Sequence, residues 1–184
     1  TVDYVHQNCT AVLSNNIQGM EELVKYIYSN GHRRIAYIHG QKASYVTKDR
    51  LASFYRVTDE LGLAIPDEYV REANYQETKG VAEQTEALLE LPQPPTCILY
   101  PDDTALIGGR NVITERGMRI PEDISVAGYD GIRMSQLIHP KITTLLQDTD
   151  QIGREAAKRL VDAIEKPKTT LVERVVINGR LLTG

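Results

Sequence analysis

The sequence predicts an α/β domain, a largely parallel sheet flanked by helices, on three observations. Short apolar runs alternate with stretches of helical periodicity over most of the 184 residues. From Pro95 to Asp130 two such runs, Cys97 to Tyr100 and Ile124 to Ala127, flank one amphipathic stretch, and each is followed by aspartate: Asp102-Asp103 and Asp130. The helical stretches are punctuated by residues that stop helices, Gly31, Gly62, Pro92 and Gly117.

In chain order, Val2 to Val5 and Ala11 to Leu13 are strand candidates across a polar turn at Gln7-Asn8. Ile17, Met20, Leu23, Val24, Ile27 and Tyr28 recur at helical spacing, with Asn15 or Asn16 as cap. Arg34 to His39 reads as a buried strand closed by Gly40. The next helix runs from about Thr47 to Leu61 with Leu51, Phe54 and Val57 on one face. Tyr69-Val70 is strand-like, and a helix follows through Val81, Thr85, Leu88 and Leu89. The central unit has its helix from Thr104 to about Arg116, where Gly108-Gly109 predicts close packing against a neighbour. Beyond Asp130, a short helix is expected over Ile132 to Leu137, a strand over Ile142 to Leu146, and a long helix capped by Asp148 or Thr149 and stopped at Pro167. The last segment, Leu171 to Leu182, contains Asn178-Gly179, the strongest local hairpin signal in the chain.

Composition narrows the function classes. The length suits one domain, or one domain with a fragment of another. With 25 acidic and 21 basic residues the formal charge is −4, which argues against this chain being a nucleic-acid-binding element. No apolar run reaches membrane-spanning length. Cys9 and Cys97 are far apart, Cys97 inside a buried-strand candidate, and both read as reduced core residues, so a cytoplasmic setting is expected. The first residue is Thr1, from which the chain is expected to be a piece of something longer.

Catalytic and metal chemistry find no motif. His6, His32, His39 and His139 lack ligand spacing, and no metal or cofactor is expected. No nucleophile elbow, Walker loop or dinucleotide fingerprint occurs, so the chain reads as a non-enzyme. Instead, polar and aromatic residues follow successive strands: Arg50, Tyr75, Asp102 and Asp130. In an open parallel sheet the carboxyl ends of the strands form the ligand crevice, so all four should converge there. Carboxylates accept from neighbouring hydroxyls, a guanidinium donates in a planar fork, and an aromatic face packs on a ring. The set suits a small polyhydroxylated or heterocyclic ligand. The plainer alternatives make Asp102 or Asp103 a helix cap, Asp130 a turn residue, Arg50 a surface partner of Asp49 or Glu60, and Tyr75 an ordinary loop aromatic.

Read together, five stretches in register resemble the effector-sensing region of the lactose and galactose repressor (LacI/GalR) family. They are Ser14-Asn15-Asn16 with Gly31-His32-Arg33-Arg34-Ile35-Ala36, Asp49 to Phe54, Asp102-Asp103, Arg119 to Asp130, and Pro140 to Thr144 before Ile152-Gly153. The resemblance implies an incomplete periplasmic-binding-protein-like type I fold, mostly its carboxyl-terminal lobe, with residues 1–10 and 148–166 belonging to an otherwise missing first lobe. It implies sensing of a small effector, by default a sugar, at Arg50, Tyr75, Asp102 and Asp130. Homodimerisation is implied through Thr104 to Arg116 and around Ser135 to Leu137, with operator DNA bound only through a helix-turn-helix head absent from this chain. There are departures: position 102 is Asp where the family commonly has Asn, and position 131 is Gly where Asp or Asn is frequent. The alternatives are a periplasmic-type sugar-binding transport component, and a receiver-like phosphoacceptor or enzyme that would use Asp102-Asp103 as a magnesium-binding pair.

Overall fold

The computed structural model describes residues 1–167 and 171–184. Its main body is a six-stranded sheet built from β2 (Ile35–His39), β3 (Val70–Glu72), β4 (Cys97–Leu99), β5 (Ser125–Asp130), β6 (Thr143–Leu146) and β8 (Arg180–Leu182). The order is β3-β2-β4-β5-β6-β8, parallel throughout except for β8, which runs antiparallel on β6. A separate parallel pair joins β1 (Ala11–Ser14) to β7 (Arg174–Ile177).

Residues alternate across the main sheet. In β2, Ile35 and Tyr37 face one helical layer, α1 (Asn16–Ser29) and α2 (Tyr45–Glu60), where Met20, Leu23, Phe54 and Val57 meet them. Ala36 and Ile38 face the other layer, α3 (Thr78–Leu89) and α4 (Asp103–Glu115), against Val81, Leu88, Leu106 and Ile113. Strands covered on both faces have no polar side to spare, which is why they read as continuous apolar runs. Close packing of α3 on α4 depends on Gly108, where an added Cβ would lie 2.3 Å from the Thr78 backbone carbonyl oxygen. The small-residue reading of Gly108-Gly109 therefore holds.

The helices start where the sequence puts caps. Asn15 accepts from the Gln18 amide, Asp102 from Ala105 and Asp148 from Gln151, at the heads of α1, α4 and α5 (Thr149–Glu165). The segment expected as a short helix over Ile132 to Leu137 is a 3-10 turn, Arg133–Gln136. Three expectations fail. Cys9, read as a core residue, is exposed because it sits in the turn region before β1, whereas Cys97 is buried as expected. Val2 to Val5 does not form a strand; only Val2 bridges to Val12. Asn178-Gly179 does not close a hairpin, because β7 pairs with β1 and β8 pairs with β6. The dipeptide instead carries the chain between the two sheets. The Asn178 side chain accepts from Asn15 at 2.8 Å, and Gly179 lies so close to the Leu146 carbonyl that a Cβ would stand 2.8 Å from it.

Three segments cross between the two sheets, β1 to α1, β6 to α5 and β7 to β8, and polar side chains tie them to one another. The Ser14 hydroxyl donates to Gln147, the Ser14 amide to Asp3 at 2.7 Å, and the Gly179 amide to Gln18 at 3.3 Å.

Candidate functional site

The carboxyl ends of β2, β4 and β5 form one rim, and the sequence-predicted residues gather on it. Arg50, on α2, is buried at 3 % exposure, so it is no surface partner of Asp49 or Glu60. Its Nε donates to Asn16 at 2.8 Å and its Nη1 to the Pro101 carbonyl at 2.9 Å. The guanidinium lies over the Tyr129 ring, 3.4 Å from the centroid, and Nη2 stands 3.9 Å from Asp130. Two of its edges are thus fixed by the protein, and the third faces the acid at the end of β5.

Asp130 has a φ of +101°, a conformation L side chains rarely adopt, and is followed by Gly131 at +68°. What holds it is the ladder to Leu146 together with Gln147, whose amide donates to Asp130 Oδ1 at 2.5 Å. Burial raises the Asp130 pKa, and the Arg50 charge opposes that rise. Its side chain keeps 32 % exposure, which makes it the accessible acid of the rim.

Asp102 and Asp103 are both buried and both occupied. Asp102 caps α4 through Ala105 at 2.8 Å, and its second oxygen accepts the Gln76 amide at 2.7 Å. The cap reading of this residue is therefore correct in part, and the other oxygen ties the Tyr75 loop to the rim. Asp103 accepts from Thr144 at 2.6 Å and from the Ile132 amide at 2.9 Å. Burial pushes its carboxyl up to about 6 despite those bonds. Tyr75 shares a 2.8 Å hydrogen bond with Thr47, one turn before Arg50 on α2. Its ring lies over Gly40, where a Cβ would sit 2.1 Å from a ring carbon, so only glycine at the end of β2 lets the ring lie there.

The four predicted residues are consequently links of one network: Asp130 to Arg50, Arg50 to Pro101, Asp102 to Gln76, and Tyr75 to Thr47. The sequence reading missed Asn16 and Gln147. Asn16 carried a signal, since one asparagine of the Asn15-Asn16 pair suffices as cap and the other is free for the rim. Gln147 had only its position directly after β6. Among the described residues no group of three or more His, Cys, Asp or Glu is placed to hold a metal ion, and no helix is long and apolar enough to cross a membrane. A buried, hydrogen-bonded arginine beside a half-exposed carboxylate and an aromatic face can orient a small polar ring.

Comparison with known proteins bears on the family and the fold. Residues 24–184 match the periplasmic binding protein-like domain. A probable HTH-type transcriptional repressor, ExuR of Bacillus subtilis (strain 168), is 32 % identical over 180 residues, covering 98 % of this chain and 54 % of its own length. Among solved structures, the transcriptional regulator CelR–cellobiose complex superposes with a TM-score of 0.89 at 26 % identity, over 97 % of this chain and 54 % of that one. A LacI family transcriptional regulator from Enterococcus faecium with bound ribose gives 0.88 at 25 % identity, over 99 % of this chain and 67 % of that one. The chain spans about half the length of the repressor it matches. These relatives are regulators of transcription, which disfavours the transport-component alternative and, indirectly, an enzyme. On the sheet order, the match over residues 24–184 and these relatives, the chain belongs to the periplasmic binding protein-like domain family, in the form carried by LacI-family transcriptional regulators.

Proposed function

We propose that this chain is the effector-sensing and dimerisation region of a cytoplasmic transcriptional repressor, and that the rim is half of its effector cleft. Arg50, Tyr75, Asp102 and Asp130 contact the effector, with Asn16 and Gln147 holding Arg50 and Asp130 in place. The observation that carries this reading is the pairing of a buried, stacked guanidinium with the half-exposed Asp130 at the strand ends. A sugar is the effector class that fits best: carboxylate oxygens take its hydroxyls, and the Tyr75 ring takes its C–H face. The cellobiose and ribose bound by two similar regulators support the same class. Asp102, with both oxygens already engaged, takes a single ligand hydroxyl at most.

The dimer face combines the outer side of α4 with the turn at Arg133–Gln136. Met134 and Leu137, 51 % and 59 % exposed, supply its apolar centre. The first ten residues, β1, β7 and α5 belong to the other lobe of the cleft, and operator DNA is bound by a head outside this chain. Alone, at a net charge of −4, the chain binds no operator.

The test is a titration of the isotopically labelled chain with ribose, cellobiose, ribose 5-phosphate and adenine, followed by amide resonances. The expected result is weak, saturable binding of a sugar that shifts Gln76, Asp102 and Gly131 and is abolished by Asp130→Ala. Binding that leaves those amides still, or that survives the substitution, sinks the assignment.

A further inference from the structure

A second concavity lies at the opposite edge of the main sheet, at the amino ends of β4, β5 and β6, away from the aspartate rim. It encloses about 390 Å³, within the range of small-molecule sites. Its floor is apolar, formed by Ile27 from the end of α1 and by Cys97, Val126, Ala127 and Ile142. Among its polar lining groups Tyr26, Asn30, His32, Ser125 and Thr143 are uncharged or only weakly basic, Arg110 and Lys141 are cationic, no aspartate or glutamate side chain lines it in a chain with 25 of them, and the last residue, Gly184, borders it.

The cations are also uncommitted. Arg110 donates one N–H to the His139 carbonyl at 2.8 Å, leaving the rest of its fork without a protein acceptor among the described residues. Neither Arg110 nor Lys141 has a carboxylate partner among the described residues, so their charge is open to an anion from outside the chain. His32 is half-buried, its Nδ1 is within hydrogen-bond distance of the Thr96 hydroxyl at 3.0 Å, and burial lowers its pKa by disfavouring the charged ring.

An apolar floor beneath unpaired cations is complementary to a ligand with an apolar body and an anionic end, and it repels a cation. We propose that this cavity binds a small amphipathic organic anion, an aryl or alkyl group bearing a carboxylate or phosphate, at a site separate from the sugar cleft. Such a ligand lays its body against Ile27, Val126 and Ile142 and its anion between Arg110 and Lys141. The site lies beside the His139-Pro140 segment that follows the Arg133–Gln136 turn, so an occupant contacts the chain leading into the proposed dimer face.

The labelled chain is titrated with phenyl phosphate, benzoate, benzyl alcohol, benzylamine and inorganic phosphate. Phenyl phosphate or benzoate is expected to give saturable shifts at Asn30, Ser125 and Thr143, to leave Gln76 and Gly131 in place, and to move the His32 ring titration to higher pH. Benzyl alcohol, benzylamine and inorganic phosphate should each bind at least tenfold more weakly. The double substitution Arg110→Gln, Lys141→Gln should weaken the anions at least tenfold and leave benzyl alcohol unchanged, its fold checked by an unaltered spectrum elsewhere. Equal binding of phenyl phosphate and benzyl alcohol, shifts confined to the aspartate rim, or undiminished affinity in the double variant overturns the proposal. These outcomes are independent of whether a sugar binds at Asp130.

Discussion

The six-stranded sheet and the β1–β7 pair are built on the same βα logic and end very differently. The main sheet has a helical layer on each face, and Tyr37, Phe54, Leu99 and Leu106 are sealed from solvent. The smaller unit packs α5 on two strands, and among the described residues its cluster of buried side chains is Val12, Ile152 and Ile177, with Ala156 and Val175 partly buried against it. Further along the same stripe of α5, Leu160 and Ile164 are 62 % and 70 % exposed, and Leu171 and Val172 lie bare beside Leu160. An amphipathic stripe at four-residue spacing needs a surface as long as itself, and two short strands cover only its first turns. The contrast separates a part whose apolar side chains are covered within this chain from a part whose apolar stripe is left largely bare.

The largest expected consequence is in how the two parts answer to truncation. Phe54→Ala removes a ring packed at 5.2 Å from Tyr37 with no solvent exposure, and should cost about 3–5 kcal/mol. Leu160→Ala should change stability by less than about 0.5 kcal/mol. Urea unfolding of both variants checks the pair; comparable losses would mean that α5 is buried in solution and would erase the distinction.

Next comes a pH effect confined to the covered part. Asp103 has its carboxyl raised from 3.8 to about 6 by burial, so between those values the folded state holds a proton that the unfolded state has released. Stability contributed through this group is therefore full below about 3.8 and falls as pH rises to about 6, by up to about 3 kcal/mol for a shift of about two units. Asp103→Asn should remove that slope, read as the difference between wild-type and variant stability at pH 4 and pH 6.5. A difference that is constant across the window would show that the Thr144 and Ile132 hydrogen bonds offset the burial in full.

Gly108→Ala ranks below these. The added methyl meets the Thr78 backbone rather than a flexible side chain, so α3 and α4 must part, at about 1–3 kcal/mol. A thermal melt measures it.

The contrast also explains what was legible in the sequence. The inner strands β2, β4 and β5 of the main sheet and the four long helices that flank it announced themselves because their partners lie on both sides and impose an unbroken apolar run or a clear stripe. The rim was legible as a position, since a residue just past a parallel strand must lie at that edge. Its wiring was not: Arg50 meets Asn16 across 34 residues, and Gln147 meets Ser14 across 133, separations over which no local pattern operates. Asn178-Gly179 misled for the same reason. Its turn chemistry is local, but β7 and β8 on either side of it are claimed by strands far away, β1 in one sheet and β6 in the other.

The smallest effect on stability is the sharpest test of what the bare face of α5 is for. Leu160→Ser with Ile164→Lys touches side chains that lie mostly in solvent, so the folded chain should lose less than about 0.5 kcal/mol. Helix propensity argues for a small cost at Ser and none at Lys, and Lys at position 164 lies in the last turn of α5, where a cation is favoured. Solubility, by contrast, should rise, because the change breaks an apolar patch that continues through Leu171 and Val172. Sedimentation of the wild-type and substituted chains separates the two quantities: self-association that falls while the unfolding midpoint stays put means the face serves a partner and not this fold. A midpoint that drops by more than 1 kcal/mol equivalent, about twice the surface norm, would instead place α5 among the structural supports of the chain and remove the difference between its two regions.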